Sequence, residues 1–305
     1  MRATRVLVTG AGGQVGQDVV DLLGAVTPPG GDPALQLDGR AVVEGEFEVA
    51  ALTRHDLDVT DRAAVFAAVA AFRPAAVVHL AAYTAVDRAE GDVATCLAVN
   101  ADGTGNVSDA CAATGCHLIA VSTDYVFDGG AVRALREDDV PRPHSVYGMS
   151  KLLGERRCRA SDTVVRTSWV MGVRGRSVIH VIAQRARAGE FVRFVDDQRG
   201  TVTVAADLAR ALVTLVRERP GGLWHVANTG SLTWFDLARF VGQWFGRDDD
   251  FATAIATRDL VPPPRAPRPA RSDLDTSRFA SRWAPLPAWT AGVDRLLAAW
   301  NAGAA

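Results

Sequence analysis

A tyrosine and a lysine four residues apart, Tyr147 and Lys151, are the pair of side chains in this sequence best suited to proton transfer. Residues at this spacing lie on one face of a helix, so the phenol and the ammonium group would be neighbours. A phenol titrates at about pH 10, and a neighbouring cation lowers its pKa. The spacing therefore predicts a general acid or base, Tyr147, whose pKa Lys151 lowers. Taken alone, the same spacing is also typical of a solvated helix face.

A second polar segment, Ser122-Thr123-Asp124, follows a predicted buried strand. Ligands of open α/β sheets bind beyond the carboxyl ends of the strands. The Thr123 hydroxyl at such a position can hydrogen-bond a substrate oxygen. Asp124 is either a substrate contact or a turn former.

A glycine-rich turn comes directly after the first predicted strand and opens a helical pattern. Its glycines leave room for a pyrophosphate, and the helix after it offers free N–H groups and a positive dipole end. The turn predicts dinucleotide binding by Gly10, Gly12, Gly13, Gln14, Val15 and Gly16.

The end of the second predicted strand bears on the choice of cofactor. Folds specific for NAD usually place a carboxylate there, where it binds the ribose 2′-hydroxyl. Here the strand is followed by Thr53 and Arg54, and the nearest carboxylates are Asp56 and Asp58. A guanidinium and a hydroxyl suit a 2′-phosphate, so we predict NADPH. The alternative is that Arg54 points into solvent, Asp58 reaches the adenosine and NADH is accepted as well.

The elements that carry these residues alternate short apolar runs with helical patterns, which is typical of a parallel sheet covered on both faces. We predict an α/β, Rossmann-like doubly wound fold with a smaller C-terminal substrate-binding portion. The predicted strands are 5–9, 47–52, 76–80, 117–122 and 163–166, and the helices are 13–23, 61–72 after a Thr60 N-cap, 93–113 and 147–160.

Residues 1–170 are predicted to form the dinucleotide-binding domain and residues 171–305 the substrate-binding portion, with 196–226 returning to the first sheet. In the second portion we predict helices at 177–188, 205–217, 233–245 and 288–300 and strands at 192–195 and 223–226. Residues 27–45 contain Pro28-Pro29-Gly30-Gly31 and are predicted to be a surface insertion.

Composition excludes several classes of protein. The 305 residues carry 33 basic and 35 acidic side chains, a net charge of -2, which gives no field for nucleic acid or an anionic membrane. No apolar stretch is long enough to span a bilayer and no signal peptide is evident, so a cytoplasmic protein is expected. The four cysteines lack metal-ligand spacing, and no metal is predicted.

Longer motifs point to a known family. They include Ala81-Ala82-Tyr83-Thr84-Ala85-Val86-Asp87-Arg88-Ala89-Glu90, Val99-Asn100-Ala101, Ser122-Thr123-Asp124-Tyr125-Val126-Phe127-Asp128-Gly129, Val146-Tyr147-Gly148, Lys151-Leu152, Gly154-Glu155, Arg166-Thr167-Ser168-Trp169-Val170, Asp197-Gln198, Asp207-Leu208 and Arg268-Pro269 with Ser272 and Leu274. On these motifs, from about residue 4 to residue 300, the sequence resembles the extended short-chain dehydrogenase/reductase family. The closest likeness is to the branch that reduces dTDP-linked 4-keto-6-deoxyhexoses.

This resemblance implies a catalytic triad of Thr123, Tyr147 and Lys151, with Lys151 also holding the nicotinamide ribose. It implies that Asn100 supports the site, or else caps a helix, and that Trp169 lies against the hexose, or else in the core. The expected cofactor contacts also include Ala81, Ala82 and Tyr83, and Thr84 and Val86 are expected to border the substrate. Arg268 and Arg271, which follow a proline-rich loop, are the expected cations for a substrate diphosphate.

The implied reaction is NAD(P)H-dependent reduction of dTDP-4-dehydro-L-rhamnose to dTDP-L-rhamnose, by a protein that could form a homodimer. Two departures concern the sugar pocket: Met171 stands where the family pattern has Tyr, and Gly200-Thr201-Val202-Thr203 replaces Gly-x-Pro-Thr. They leave open a 4-ketoreductase for another dTDP-deoxysugar of secondary metabolism. A third possibility is a non-catalytic NADP-binding regulatory subunit, against which the intact triad argues.

Overall fold

The computed structural model of this protein describes residues 3–24 and 37–303. Its strands, in chain order, are β1 (Thr4–Thr9), β2 (Phe47–Leu52), β3 (Ala76–His79), β4 (His117–Thr123), β5 (Thr163–Thr167), β6 (Val170–Met171), β7 (Val192–Val195), β8 (Arg199–Gly200), β9 (Thr203–Val204), β10 (Gly222–His225), β11 (Leu232–Thr233) and β12 (Ala252–Ile255).

The helices of the described residues are α1 (Gln14–Gly24), α2 (Arg62–Phe72), α3 (Val86–Ala89), α4 (Val93–Leu97), α5 (Gly103–Thr114), α6 (Val146–Glu155), α7 (Val178–Ala188), α8 (Ala205–Glu218), α9 (Trp234–Trp244), α10 (Ser277–Ala280) and α11 (Trp289–Asn301). A π-helical turn, Ala98–Asp102, joins α4 to α5. No helix among these residues is long and apolar enough to cross a membrane.

Six strands form one parallel sheet in the order β2-β1-β3-β4-β5-β10. Its central strands are rich in apolar residues, and all four residues of β3, His79 included, are buried. Strands of this kind require helices on both faces of the sheet. One face packs in a core with α1 and α8, and the other with α2 and α5. The predicted doubly wound fold is confirmed.

The sheet takes its sixth strand from far along the chain. Strand β10 pairs with β5, and α8 packs against α1 on the sheet's face. A separate apolar core unites α7, α9 and α11 with β7 and β12. The cleft between this smaller core and the carboxyl edge of the sheet receives the predicted site. The assignment of exact domain limits stays a prediction.

Two local predictions need correction. Thr60 does not cap α2, because its hydroxyl donates to Asp58; the cap is Asp61, whose side chain accepts from the Ala64 N–H. The helix predicted to run to residue 160 ends at Glu155.

The predicted insertion at 27–45 lies in part outside the described residues. Of its described part, Leu37 and Val42 are buried in the main core. Arg217 of α8 holds this segment through ion pairs to Asp38 at 2.6 Å and to Glu46 at 2.7 Å. Residues 37–45 are thus built into the fold, which corrects the expectation of a simple surface loop.

Candidate active site

The glycine turn between β1 and α1 is tightly constrained. Gly10 has φ of +68°, and a Cβ there would lie 2.6 Å from the backbone nitrogen of Ala81. A Cβ on Gly16 would lie 2.3 Å from the carbonyl oxygen of Gly10. Only glycine fits at these two positions. The turn therefore brings the start of α1 against the segment that follows β3.

The remaining residues of the turn present an anion site. Gly12 and Gly13 are exposed, and the Gly13 N–H closes the turn on Gly10 O at 3.0 Å. The first N–H groups of α1 have no acceptor inside the helix and carry its positive dipole end. Val15 packs against the main core. The Gln14 amide donates to Arg176 O at 3.1 Å, which connects the turn to the smaller lobe, the part of the chain built around the smaller core. These residues fit a dinucleotide pyrophosphate.

The end of β2 places a cation, Arg54, beside the turn. Arg54 is exposed and makes no side-chain hydrogen bond or ion pair within the described residues, although its charge helps to lower the pKa of Asp58. The Thr53 hydroxyl, expected to contact a 2′-phosphate, instead donates to Asp56 at 2.6 Å. Asp58 is exposed and accepts from the N–H and hydroxyl of Thr60, which lowers its pKa. Arg54 therefore remains for a 2′-phosphate, whereas Thr53 is already engaged.

The segment after β3 forms the next wall of the cleft. Ala81, Ala82 and Tyr83 are half-buried beside the glycine turn, Thr84 is exposed, and Val86 begins α3. The Tyr83 hydroxyl donates to Asp92 at 3.1 Å. These residues border the cleft as the resemblance implied; contact with a ligand stays a prediction.

Asn100 positions this wall from behind. It is fully buried in the π-helical turn, accepts from Tyr83 N–H at 2.8 Å and donates to Tyr83 O at 3.0 Å. Its amide also donates to the Ser150 hydroxyl of α6 at 2.9 Å. Asn100 is thus neither a helix cap nor an exposed cofactor contact. It couples the cofactor wall to the helix that carries Tyr147, and Ser150 is a member that the sequence reading missed.

The Tyr147 phenol meets the Thr123 hydroxyl at the carboxyl end of β4. Tyr147 opens α6 after the Ser145 cap, is half-buried, and packs edge-on against Tyr125 with ring centroids 5.7 Å apart. Burial raises the pKa of Tyr147, and its hydrogen bond to Thr123 lowers it by less. The net direction is opposite to the expected one. The neutral phenol, a proton donor, is therefore its resting state.

Lys151 lies one turn further along α6 and is buried. Its ammonium group donates to Val121 O of β4 at 2.8 Å, and burial lowers the pKa of Lys151 to about 8. The ammonium group is thus fixed against the β4 backbone.

Glu155, a third residue on this face of α6, was quoted in the motif but given no role. It accepts two hydrogen bonds from Arg166, at 2.9 and 2.7 Å, and one from the Ser122 hydroxyl at 2.5 Å. Its charge opposes the lowering of the Lys151 pKa. The four-residue spacing from Lys151 to Glu155 was the signal available in the sequence.

Asp124 does not face the cleft as a substrate ligand. It is 1% exposed; one carboxyl oxygen accepts from Thr123 at 3.0 Å and the other from Ser272 at 2.6 Å. Both oxygens are therefore occupied by hydroxyl groups, which corrects its assignment as a direct sugar contact. Ser272 belongs to the segment after the proline-rich loop, so this contact links the two sides of the cleft.

Trp169 is held in an unusual backbone conformation on the side of the smaller lobe. Its φ is +42°, a strain of about 1–3 kcal/mol that is typical of functional positions. The indole stacks on Trp234 at 3.8 Å, and a Cβ on Gly200 would lie 2.6 Å from it. Trp169 is half-buried rather than enclosed in the core, and it keeps an exposed edge.

The two arginines expected to hold a diphosphate are both paired within the protein. Arg268 donates to Asp87 at 2.7 Å and lines a small hollow with Tyr125 and His144. Arg271 donates twice to the buried Asp273 and once to Val132 O. Arg271 is thus held by two partners within the fold, and its contact with a diphosphate stays a prediction. Arg268 lies at the cleft, and its charge is paired with the carboxylate of Asp87.

The described residues contain no group of three or more His, Cys, Asp or Glu side chains arranged to hold a metal ion. What they assemble is a phosphate-binding turn, a buried lysine and a hydroxyl–phenol pair at one edge of a parallel sheet. This combination defines an NAD(P)H-dependent oxidoreductase of the short-chain dehydrogenase/reductase class.

Comparison with known proteins places the chain further. A family model described as "RmlD substrate binding domain" matches residues 30–301, so the chain belongs to that family. It is 39% identical over 299 residues to a "dTDP-4-dehydrorhamnose reductase" of Streptomyces griseus, covering 95% of this chain and 91% of the relative. It is 34% identical to a "dTDP-4-keto-6-deoxy-D-glucose reductase" of Streptomyces niveus, covering 98% of both.

A solved structure has the same architecture. The dTDP-4-dehydrorhamnose reductase of Bacillus anthracis in complex with NADP superposes with a TM-score of 0.85 at 29% identity, covering 97% of this chain and 99% of that one. The membership expected from the sequence motifs is confirmed.

Proposed function

We propose that this protein reduces the 4-keto group of dTDP-4-dehydro-L-rhamnose with NADPH, forming dTDP-L-rhamnose. The observation that carries the proposal is the placement of Tyr147 and Lys151 on α6, next to Thr123 at the carboxyl end of β4, with the glycine turn at the neighbouring edge of the sheet. Relatives that reduce dTDP-linked 4-keto sugars match nearly the whole chain, which supports the reaction class.

Each side chain has a role set by its surroundings. NADPH, when bound, supplies the hydride for C4 of the sugar. The Tyr147 phenol gives its proton to the carbonyl oxygen, and the Thr123 hydroxyl hydrogen-bonds the same oxygen. Lys151, already fixed to the β4 backbone, holds the nicotinamide ribose and stabilises the phenolate that forms.

NADPH is favoured over NADH by the charge at the end of β2. Arg54 is exposed and unpaired among the described residues, and a guanidinium binds phosphate bidentately. Gly10 to Gly16 and the start of α1 would hold the pyrophosphate. The relative of known structure is recorded with NADP, which supports the same choice here.

The sugar would lie between the sheet edge and Trp169, whose half-exposed indole offers a flat apolar surface to a hexose ring. Thr84 and Val86 would border it from the opposite wall. Arg268 is the remaining arginine for the diphosphate, in exchange with or beside Asp87.

Another dTDP-4-keto sugar is a second candidate substrate. Met171, in the place of the family's tyrosine, is buried in the smaller core, and Val202 replaces its proline next to Gly200 and Trp169. A relative 34% identical is named for the 6-deoxy-D-glucose compound. Both departures from the family pattern lie in segments beside the expected sugar pocket, and neither changes a proposed catalytic residue.

The deciding experiment compares kcat/KM for dTDP-4-dehydro-L-rhamnose and dTDP-4-keto-6-deoxy-D-glucose, each with NADPH, and identifies the products by NMR. We expect at least tenfold preference for the rhamnose precursor. An equal or reversed preference would assign the protein to the second candidate. Cofactor binding without reduction of either sugar would make it a non-catalytic subunit.

A further inference from the structure

The Thr123 hydroxyl has a single proton, for which Asp124 and a substrate carbonyl oxygen would compete as hydrogen-bond acceptors. A threonine hydroxyl donates once and accepts through its lone pairs. In this structure it donates to Asp124 at 3.0 Å and accepts from the Tyr125 N–H at 3.2 Å. While Asp124 is ionised, the proton of Thr123 is therefore not available to a substrate carbonyl oxygen.

Asp124 lacks the partner that a buried carboxylate needs. The groups that face it are the hydroxyls of Thr123 and Ser272, the N–H groups of Asp124 itself and of Tyr125, and the phenols of Tyr125 and Tyr147, and none of them is cationic. Ionised carboxylates are costly to bury without a cation. Burial accordingly raises the pKa of Asp124 to about 6, although the bonds from Ser272 and Thr123 lower it.

We propose that Asp124 is a positioning residue that acts through Thr123: in its protonated form it donates to the Thr123 oxygen and frees the Thr123 proton for the substrate carbonyl oxygen. This inference rests on the proposed reduction. The carboxylic acid O–H replaces the bond that Thr123 otherwise donates, and no proton leaves Asp124 during turnover. The proton that reaches the product oxygen comes from Tyr147.

The ionised form is the unreactive one. The carboxylate of Asp124 accepts the Thr123 proton in a hydrogen bond, so the substrate carbonyl oxygen loses one of its two donors. The active fraction therefore falls as pH rises through the pKa of Asp124. Because kcat/KM reports the free enzyme, its decline should begin at about pH 6, by about tenfold per pH unit.

The test compares kcat/KM from pH 5 to 8 in wild type, Asp124→Asn, Asp124→Ala and Ser272→Ala, using NADPH and dTDP-4-dehydro-L-rhamnose. The asparagine amide can donate to Thr123 while its carbonyl accepts from Ser272, as the protonated acid would. We expect Asp124→Asn to keep the wild-type activity of low pH within about threefold and to lose the pH dependence. Asp124→Ala should lose at least 30-fold throughout, because nothing directs the Thr123 hydroxyl.

Ser272→Ala provides a matched control with the sign fixed in advance. The Ser272 bond lowers the pKa of Asp124, so its removal should move the decline to higher pH and leave the low-pH plateau in place. The 2′-phosphate of NADPH also titrates at about pH 6, but it is common to all four proteins.

An unchanged pH decline in Asp124→Asn would overturn this inference, as would a folded Asp124→Asn protein below 1% of wild type at every pH. A wild type that binds NADPH but reduces no sugar would overturn the proposed function and this inference with it. If the wild type is active and Asp124→Asn keeps the wild-type decline of kcat/KM with pH, this inference alone is overturned and the proposed function stands.

Discussion

Tyr147 is half-buried at the start of α6, and burial raises its pKa, so the phenol is protonated at neutral pH. The spacing to Lys151 identified it in the sequence. The direction of its pKa shift could not be obtained from spacing, because it depends mainly on how deeply the phenol is buried.

Replacing Tyr147 by phenylalanine should lower kcat by about 10²–10⁴-fold, since a positioned general acid is lost, while the KM for NADPH stays within about threefold. Steady-state kinetics on the purified variant measures both. Tyr83→Phe is the matched control, because it removes only a hydroxyl bonded to Asp92 and leaves the backbone bonds to Asn100. Turnover of Tyr147→Phe within threefold of wild type would remove the phenol from the mechanism.

Arg54→Ala should lower kcat/KM with NADPH by about 10–100-fold and leave kcat/KM with NADH nearly unchanged, because only the 2′-phosphate loses a charged partner. Parallel assays with the two cofactors give the ratio. Arg258→Ala, an exposed arginine far along the chain, should change neither value. An equal loss with both cofactors would mean that Arg54 does not read the 2′-phosphate.

Among residues, the contacts that sequence reasoning did not foresee are mostly those with distant partners. Arg271 donates to Val132 O across 139 positions of the chain. Asp124 meets Ser272 across 148 positions of the chain, a pairing that no local pattern contains. Tyr147, by contrast, depends on a helix that starts at its own segment.

At the scale of elements, the predicted strands agree with β1 to β5 within one residue at each end, because buried parallel strands are short apolar runs bounded by turns. Helix ends were less predictable. Thr60 and Asp61 are both good caps by residue type, and the choice between them follows from Asp58, which engages the Thr60 hydroxyl. The π-helical turn at Asn100 had no sequence pattern of its own.

The glycine turn between β1 and α1 should be required for cofactor binding. Gly16→Ala should abolish measurable NADPH binding, because its Cβ would lie 2.3 Å from Gly10 O and push the start of α1 away from the turn. Fluorescence titration with NADPH tests this. Gly24→Ala is the control, since a Cβ there meets no atom of the described residues within 4 Å. Cofactor affinity unchanged in Gly16→Ala would mean that the turn does not carry the pyrophosphate.

At the scale of the whole molecule, the free energy of unfolding should vary with pH because buried histidines and a buried carboxyl have pKa values shifted in opposite directions. Burial lowers the pKa of His79 and of His225 to about 3, from about 6.5 when unfolded. Below pH 6.5 the unfolded chain therefore binds more protons, and stability falls with falling pH. Asp124, whose pKa is raised to about 6, opposes this below pH 6 because it binds its proton more tightly when folded.

As the pH falls, the two histidines lower the free energy of unfolding and the one carboxyl raises it. The net loss between pH 7 and pH 5 should be on the order of 2–3 kcal/mol. Urea denaturation at the two pH values measures it. His79→Gln should reduce the loss, and His55→Gln, at an exposed position, should not. Equal stability of the wild type at both pH values would show that these histidines are not neutral and buried.

Several polar contacts join the two sides of the cleft, among them Gln14 with Arg176 O, Arg268 with Asp87 and Asp124 with Ser272. The doubly wound half could be predicted because its alternation of strand and helix is regular. The smaller lobe has short strands and an irregular proline-rich segment, so its helices were predictable from periodicity but its approach to the sheet edge was not. The substrate side of the site consequently depends on the structure more than the cofactor side does.

The most direct test of the central claim follows the hydride itself. Wild-type protein is incubated with dTDP-4-dehydro-L-rhamnose and NADPH deuterated at C4 of the nicotinamide, prepared in both stereochemical forms, and the sugar product is analysed by NMR and mass spectrometry. The proposed reaction predicts dTDP-L-rhamnose with one deuterium at C4 from one of the two forms and none from the other. NADPH consumption without deuterium at C4 of the sugar, or no consumption, would contradict it.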